Sequence, residues 1–433
     1  MGKSSGGAEF VAAELAENFA RRGDEVVLVS DVEPLTRERM PAKLSIVETR
    51  TYCGLRSYTK YIPMNFPRWL VQHLLGNVLA AWRARSLLKS DKEGFDAVHV
   101  HGALATVLLR RAVRRHASGI PLVYTEHDST PWSCRYRCAP ERLVRRFVYR
   151  RINLRACQAA TVVTVNFPSL ADELAARTGL PQSHFATIRN AASAQWLSRQ
   201  HDAESVKALH GFDHYILFVG SLVARKCPDI LLRALAAVSL PCIFVGDGPM
   251  RGSLERLASR FGIADRVVFT GAIDRGSVQC YYSGADALVL PSVSEGAPLV
   301  AIEALRSGVP VVASNLRGIA SFVRDQQNGL LIEPGDEDSL RRALAALEAD
   351  ESLLAKLRHG AESSSLAADS WSDVVNQLCA LYLQHRPAQE TRPGIRSSSG
   401  AVSGAVGDLA AESLGLQLPP VMVTPIPQSQ THG

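Results

Sequence analysis

Short apolar segments alternate with helical segments twice along this chain of 433 residues, and this double alternation limits the choice of fold most strongly. In each half the apolar segments are three to five residues long, which is typical of strands buried on both faces. A strand–helix–strand order predicts parallel sheets that helices cover on both sides. The sequence therefore predicts an α/β protein of two halves, which join near residues 190–210.

Apolar runs and helical periodicity place the individual elements. The strands predicted in the first half are Val26–Val29, Leu44–Val47, Ala97–Val100, Leu122–Tyr124 and Val162–Val165. Those predicted in the second half are Tyr215–Val219, Ile243–Val245, Val267–Phe269, Ala287–Leu290, Val309–Val312 and Leu330–Ile332. The helices predicted are residues 11–19, Asp229–Ser239, Arg251–Phe261, Pro298–Ser307, Ser339–Glu348 and Trp371–Gln384.

The first half lacks the strand with which a doubly wound domain normally begins. A glycine turn, Gly6-Gly7, stands almost at the start, and such a turn normally follows the first strand. Either the missing strand is encoded upstream of Met1, or this half folds with an incomplete sheet. We expect upstream codons that encode a short strand rich in Val, Ile and Leu.

Composition indicates a cytoplasmic globular protein. No apolar run approaches the ~20 residues of a membrane span, and the N-terminus leads into no apolar signal region. The eight cysteines form no CxxC pair and no zinc spacing, so we interpret them as reduced residues of the core. Residues 1–190 carry 28 Lys and Arg against 17 Asp and Glu, which indicates that the first half faces something anionic.

We expect four segments along the chain. An N-terminal domain covers residues 1–195, a C-terminal domain covers residues 196–368, and a crossover helix covers residues 369–386. Residues 387–433 are rich in Ser, Gly, Pro and Gln, which predicts a disordered tail.

The segment Glu295-Gly-Ala-Pro-Leu-Val-Ala-Ile-Glu303 is the most specific feature of the sequence. It follows a predicted strand and opens a helix with Pro298 near its first turn. Glu303 falls among apolar residues, and a buried carboxylate needs strong partners such as ribose hydroxyls. The free amides around Ala297–Leu299 are suited to a diphosphate. The alternative is a purely structural one, with Glu295 at the helix dipole and Glu303 in a salt bridge.

Two weaker signals accompany this segment. Lys226 follows the strand and glycine of Val219-Gly220 and would offer a positive charge to a phosphate, although a lysine there is often simply solvated. His99 and His101 share one face of a strand, where a histidine can equally be a hydrogen-bonded residue of the core.

The order of motifs resembles that of glycosyltransferase family four. The motifs are Gly6-Gly-Ala-Glu, Asp96–Gly102, Thr125-Glu-His127, Gly220-Ser-Leu with Lys226, Val245–Pro249, Phe269-Thr-Gly271, Glu295–Glu303, Gly308–Val312, Asn328–Leu331 and Pro334-Gly-Asp. The resemblance covers about residues 6–382. It implies two Rossmann-like domains that face each other across a cleft, the GT-B fold. It also implies retaining transfer of a hexose from a nucleotide diphosphate sugar to a hydroxyl acceptor, with no metal or other cofactor.

On the donor side, the resemblance implies that Glu303 holds the ribose, that Glu295 contacts the hexose hydroxyls and that Lys226 neutralises the departing diphosphate. The remaining donor contacts would come from Gly7, Ser221, Gly296, Ala297, Pro298 and Leu299. The family usually has arginine where this chain has Ser221, so a phosphate contact is lost unless Arg225 replaces it.

On the acceptor side, the resemblance implies that His101 lies beside the reacting sugar and that His127 lines the acceptor site. Together with Glu295 and Lys226, His101 is expected to be catalytic. Arg135 and Arg137 open a basic stretch, Arg135–Arg155, with eight arginines and one acid. We place both arginines on the acceptor side.

The basic stretch has two interpretations. It is an amphipathic helix that lies peripherally on an anionic membrane at the inner face of the cell membrane, or it is a core-packed helix with a solvated face. Nucleic acid is not expected as a partner, because no recognised binding module is present.

The acceptor class and the reaction leave alternatives open. The acceptor is a saccharide, a lipid-linked sugar or a small molecule, as in polysaccharide or glycolipid synthesis. Rival functions are a nucleotide-sugar epimerase of the same fold and an inactive nucleotide-sugar-binding protein. Asp336-Glu337-Asp338 imitates a metal-binding Asp-x-Asp motif, but its position after Pro334-Gly335 and before a periodic segment favours helix capping.

Overall fold

The computed structural model of the chain describes residues 7–30, 44–48, 68–90, 94–127, 145–192, 203–364 and 370–386. Arg135 and Arg137, the tail predicted over residues 387–433, and residues 193–202 of the predicted join lie outside these ranges.

The described strands are short and all pair in parallel. In the first half they are β1 (Val26–Ser30), β2 (Leu44–Glu48), β3 (Val98–Val100), β4 (Leu122–Glu126), β5 (Val162–Val165) and β6 (Phe185–Thr187). In the second half they are β7 (Ile216–Val219), β8 (Cys242–Val245), β9 (Val267–Gly271), β10 (Ala287–Leu290), β11 (Val311–Ser314) and β12 (Gly329–Ile332).

The described helices connect these strands. In the first half they are α1 (Gly7–Arg22), α2 (Arg68–Ser90), α3 (Ala103–His116), α4 (Arg150–Ala159) and α5 (Pro168–Thr178), with a π-helical turn, Arg145–Tyr149, leading into α4. In the second half they are α6 (Ala203–His210), α7 (Pro228–Leu235), α8 (Arg251–Arg260), α9 (Arg275–Ser283), α10 (Leu299–Arg306), α11 (Arg317–Ala320), α12 (Glu337–Ala349) and α13 (Glu351–Glu362). The last is α14 (Trp371–Gln384).

The second half is built on one six-stranded sheet of order β12-β11-β10-β7-β8-β9. Every residue of β7, β8, β10 and β11 is buried, because helices cover both faces of the sheet. Successive strands extend the sheet in one direction from β7 to β9 and in the opposite direction from β10 to β12, so the strand order reverses between β7 and β10. The carboxyl ends of these two strands flank the crevice where open parallel sheets bind ligands.

The first half contains two separate sheets among the described residues, β1-β2 and β3-β4-β5-β6. A single doubly wound sheet would place one more strand between β1 and β3. The described residues contain no strand in that position.

Helix α14 returns from the second half and packs against the first. Trp371, Val374 and Leu378 share a buried cluster with Val11 and Leu15 of α1. The entry to α14 pairs with the end of the first half through a parallel bridge between Ala192 and Ser370. The C-terminal helix therefore belongs by its contacts to the N-terminal half.

None of the described helices combines the length and the apolar character that a transmembrane segment requires.

Candidate active site

The loop between β10 and α10 forms the centre of the site. Helix α10 begins at Leu299, and the residue before it, Pro298, has extended backbone and no side chain that accepts a hydrogen bond. The amides of Leu299 and Val300 therefore open the helix without a side-chain cap from Pro298, at the positive end of the helix dipole. This helix start lies at the carboxyl edge of the sheet, and its chemistry suits an anionic group.

Glu295 lies in this loop and forms a buried ion pair. Its Oε1 contacts Nζ of Lys226, and the two side chains are only 7% and 10% exposed. Burial alone raises the pKa of the Glu295 carboxyl, but the positive charges of Lys226 and then Arg225 lower it by more, so that the net pKa lies below its usual value. Glu295 is therefore ionised at neutral pH.

Lys226 lies in the segment that follows β7. It ends a short 3-10 turn, Ala224–Lys226, and the next residue, Cys227, has the left-handed backbone that starts α7. A Cβ on Gly220 would make only an ordinary contact with Cε of Lys226, at 3.8 Å, so it is the backbone φ of 148° that favours glycine at this position. The lysine that a local sequence argument would place in solvent is thus a buried residue.

Arg225 lies on the solvent side of the same carboxylate. Its Nη1 is 3.8 Å from Oε2 of Glu295, donates to the Ser294 carbonyl at 3.5 Å, and the side chain is 49% exposed. Ser221, where the family usually has arginine, is exposed at the end of β7. Arg225 therefore places a positive charge in the same segment between β7 and α7 that contains Ser221.

Glu303 lies within α10, on the helix that follows the loop of Glu295, and is 3% exposed. The Tyr282 hydroxyl donates to its Oε2 at 3.3 Å and to the Val300 carbonyl at 3.1 Å. The prediction of a buried carboxylate at this position is confirmed. Its described partner is a tyrosine hydroxyl, which makes Tyr282 a site residue that the sequence pattern did not indicate.

The loop Gly296–Pro298 is fixed from two directions. A Cβ on Gly318 would lie 1.8 Å from the Gly296 carbonyl oxygen, so the backbone of α11 packs directly against the backbone of the loop and leaves no room for a side chain at Gly318. From the first half, the Asn190 amide donates to the Ala297 carbonyl at 3.2 Å. Asn190 thus links the end of the first half to the loop of the site.

Three half-buried histidines at the carboxyl ends of β3 and β4 form the histidine cluster: His99, His101 and His127. Nδ1 of His101 lies 2.7 Å from Nε2 of His127, and the rings of His99 and His101 stack with centroids 4.6 Å apart. His99 bonds through Nδ1 to the Tyr382 hydroxyl on α14 and through Nε2 to Thr125, both at 2.6 Å. The cluster therefore links the strand ends to the crossover helix.

Burial keeps the histidine cluster neutral. Desolvation lowers the pKa of His99 to about 3, with a smaller contribution from His127, and lowers the pKa of His127 to about 4. Desolvation and the neighbouring histidines likewise lower the pKa of His101 well below its usual value. Each ring therefore carries a single N–H at neutral pH.

The hydrogen bonds determine where these protons lie. The Asn166 amide donates to Nδ1 of His127 at 3.4 Å, so the proton of His127 is on Nε2. That N–H donates to Nδ1 of His101, which leaves the single proton of His101 on its Nε2. Asn166 and His127 thus fix the tautomer of His101 in this arrangement.

The predicted site residues fall into two groups. Lys226, Glu295 and the Gly296–Leu299 backbone lie together at the carboxyl edge of the second sheet, with Glu303 on the helix that follows. His101 and His127 lie together in the first half. Gly7 is the exposed first residue of α1, with no atom within 4 Å of the place a Cβ would occupy.

The residues that sequence reasoning missed are partners supplied from a distance. Tyr282, Asn190 and Asn166 hydrogen-bond to predicted site residues or their loop, and Tyr382 bonds to His99, whose ring stacks on that of His101. None lies in the motif that it supports, so no local pattern indicated them. Among the described residues, no group of three His, Cys, Asp or Glu side chains is arranged to hold a metal ion.

Solved structures with the same architecture define the class. Sucrose-phosphate synthase from Thermosynechococcus elongatus is 23% identical and superimposes with a TM-score of 0.71, covering 88% of this chain and 94% of that chain. Anabaena Alr3699/HepE in complex with UDP is 21% identical with a TM-score of 0.65, covering 88% and 97%. The chain has the GT-B fold, two Rossmann-like domains that face across a cleft, as predicted.

Sequence relatives define the family. Residues 5–196 match Glycosyltransferase Family 4, and residues 202–364 match Glycosyl transferases group 1. The D-inositol 3-phosphate glycosyltransferase of Rhodococcus opacus (strain B4) is 30% identical over 403 residues, which cover 87% of this chain and 85% of that protein. D-inositol 3-phosphate glycosyltransferase 1 of Catenulispora acidiphila is 28% identical over 412 residues, covering 88% and 91%. The chain belongs to the group 1, family four glycosyltransferases and is a transferase, and these relatives lend no support to the epimerase or inactive alternatives.

Proposed function

We propose that this glycosyltransferase moves a hexose from a nucleoside diphosphate sugar to a hydroxyl acceptor, with retention at the anomeric carbon and without a metal ion. The donor binds the C-terminal domain, residues 196–368, and the acceptor binds the N-terminal domain, residues 1–195. The product class is a polysaccharide or a glycolipid.

One observation carries this proposal: a buried ion pair stands beside an uncapped helix start. Lys226 and Glu295 are nine-tenths buried, and the amides that open α10 follow Glu295 within five residues. Such a group of donors and charges suits a diphosphate joined to a polyhydroxylated ring. Glu303, on the same helix, accepts from the ribose hydroxyls in place of or beside Tyr282.

The chemistry follows from where charge develops. As the bond between the hexose and the diphosphate breaks, negative charge grows on the leaving phosphate, and Lys226 and the α10 amides stabilise it more than they stabilise the intact donor. Glu295 accepts hydrogen bonds from the hexose hydroxyls, and the Nε2–H of His101 donates to a hydroxyl of the same ring. The departing phosphate accepts the acceptor proton on the front face, so no enzymic nucleophile takes part.

A solved structure with the same fold supports a uridine donor. Anabaena Alr3699/HepE has been solved with UDP and with UDP-glucose, and its fold superimposes on this chain. We therefore propose UDP-hexose as the first donor to test. We also propose a cytoplasmic enzyme, since the free cysteines at five described positions are compatible with a reducing compartment.

The test is a thermal-shift screen of nucleoside diphosphates without metal. Ligand that binds the folded state alone raises stability by RT ln(1 + [L]/Kd), about 2.7 kcal/mol at 100 Kd. Wild type is expected to respond to one base, and Glu303→Ala to lose the response. Glu351→Ala, an exposed carboxylate on α13, is the matched control and should respond like wild type. Equal responses from Glu303→Ala and wild type would show that the ribose site lies elsewhere.

A product assay separates the proposal from an epimerase. With donor alone, the transferase releases nucleoside diphosphate only at the slow rate of hydrolysis, and a suitable acceptor accelerates release. An epimerase converts the donor to its epimer without any acceptor. Retention is read from the anomeric configuration of the product, and turnover in the presence of a chelator tests independence from metal.

A further inference from the structure

Three adjacent helices of the first half leave apolar side chains exposed. The described part of the chain leaves seven large apolar side chains exposed, and five of them lie on α2, on α3 or in the turn before α4. They are Val78, Trp82, Leu108, Phe147 and Val148. Trp82 is 65% exposed and Phe147 is 51% exposed, although both residue types are normally buried in a water-soluble core.

The same three helices carry only positive charge. Residues 68–90, 103–116 and 145–159 contain thirteen Lys and Arg and no Asp or Glu. The whole chain, in contrast, has 48 basic and 42 acidic residues. A solvated helical face of a globular protein normally carries charges of both signs, so this segregation calls for an anionic partner.

The helices form one continuous layer. Helix α2 packs on α3, and α3 packs on α4. Each helix precedes a strand of the parallel sheet, so all three end at the same edge, the amino-terminal edge of that sheet. The apolar side chains lie about two to three turns before these ends, and exposed arginines such as Arg114, Arg115 and Arg155 lie in the last two turns.

The surface therefore has two parallel bands. An apolar band crosses the helices on the side nearer the active site, and a basic band crosses them on the far side. A groove of about 440 Å³ opens in the basic band between the ends of α3 and α4, with Arg110 and Arg114 on its wall. Its size and charge suit a phosphate-bearing headgroup.

We propose that the outer surface of α2, α3 and α4 docks on an anionic phospholipid bilayer, a property separate from the proposed transfer reaction. The apolar band enters the interface between headgroups and acyl chains, and the arginines bind lipid phosphates. Nucleic acid would satisfy the arginines but would leave Trp82 and Phe147 in water. Docking in this orientation brings the edge of the first half that bears the histidine cluster towards the bilayer.

The test is flotation of the full chain with vesicles. Wild type binds vesicles of phosphatidylglycerol and phosphatidylcholine, does not bind phosphatidylcholine alone, and is released by salt. Arg110→Glu with Arg114→Glu lowers the partition coefficient about 100-fold or more, since each basic side chain at the surface contributes about fivefold. The matched control reverses Arg256 and Arg260, which are exposed on α8 of the other half, and binds like wild type.

The apolar band is tested separately. Trp82→Ala with Phe147→Ala lowers binding about tenfold or more, whereas Leu209→Ala, which removes the most exposed apolar side chain of the other half, changes nothing. Brominated lipids quench the emission of Trp82 in wild type, and Trp82→Phe abolishes that part of the quenching.

The results that overturn the proposal are distinct from failure of the transferase. Equal binding of wild type and the arginine variant to anionic vesicles rejects the bilayer as the partner. It is rejected as well if wild type binds duplex RNA but no vesicles, and the arginine variant loses the RNA binding. A concentration-dependent dimer that the apolar variant abolishes assigns the surface to a second copy instead. Nucleoside diphosphate binding is measured on the same variants, and it persists whether or not the surface binds lipid. Thermal unfolding of each variant verifies its fold. If the double arginine variant does not fold, vesicle binding of the Trp82→Ala, Phe147→Ala variant still tests the proposal.

Discussion

Replacing Lys226 by methionine removes the main compensation of the buried Glu295 charge. Methionine keeps the length of the lysine stem beside Gly220, so the substitution changes charge with little change of volume. The carboxylate is 7% exposed, and a buried ion that loses its partner typically costs about 3–5 kcal/mol. For a domain of this size that corresponds to a decrease of roughly 6–20 °C in Tm.

Arg225 provides an internal control for the same carboxylate. At 3.8 Å from Oε2, the Coulomb attraction at an effective dielectric constant of 20 is about 4 kcal/mol. The arginine side chain is 49% exposed, however, and pairs screened by solvent contribute about 1 kcal/mol or less. Arg225→Met is therefore expected to lower Tm far less than Lys226→Met.

A double variant completes the measurement. Lys226→Met with Glu295→Gln leaves no buried charge, so it is expected to regain most of the stability that Lys226→Met loses. The assay is thermal unfolding followed by circular dichroism at pH 7, with urea titration as a second measure. A double variant as unstable as the sum of the two single variants would refute the argument, because the charges would then be uncoupled. Equal effects of Lys226→Met and Arg225→Met would refute it as well.

Three further outcomes are expected. Tyr282→Phe removes the hydroxyl that donates to Glu303 and is expected to cost about 1–2 kcal/mol in urea unfolding, and an unchanged midpoint would contradict that bond. Gly318→Ala drives a methyl group into the Gly296 carbonyl and costs about 1–3 kcal/mol with loss of nucleotide binding, whereas Gly252→Ala on exposed α8 is neutral or stabilising. The histidine cluster has folded pKa values far below the usual 6.5, so the unfolded state binds more protons and stability falls as pH decreases below about 6.5. The loss is up to about 1.4 kcal/mol per pH unit for each histidine, and a Tm that is constant between pH 7 and pH 5 would exclude a neutral cluster.

The fold was predictable because each strand is locally encoded. The strands Val162–Val165 and Ala287–Leu290 match their predicted bounds, since continuous apolar runs flanked by polar residues leave little choice. Asp336 caps α12 by accepting from the Asp338 and Ser339 amides, so the capping interpretation of its acidic run is confirmed. The strand Phe185–Thr187 was missed, because it has three residues and only one large apolar side chain.

The sequence indicated which residues belong to the site, but it did not indicate which side chains contact them. The apolar surroundings of Glu303 along one helix indicated its burial, because that information is contained in a single segment. The burial of Lys226 depends on Glu295, which the chain brings to it from a different loop. The bond from Tyr382 to the histidine cluster likewise depends on a helix that returns from the far end of the chain. Local periodicity carries no information on such pairs.

The bridge between Ala192 and Ser370 joins the end of the described first half to the residue that caps α14. Asn190, which donates to the Ala297 carbonyl, lies two residues before this bridge, so the position of the loop before α10 is linked through a short stretch of backbone to the packing of α14 on the first half.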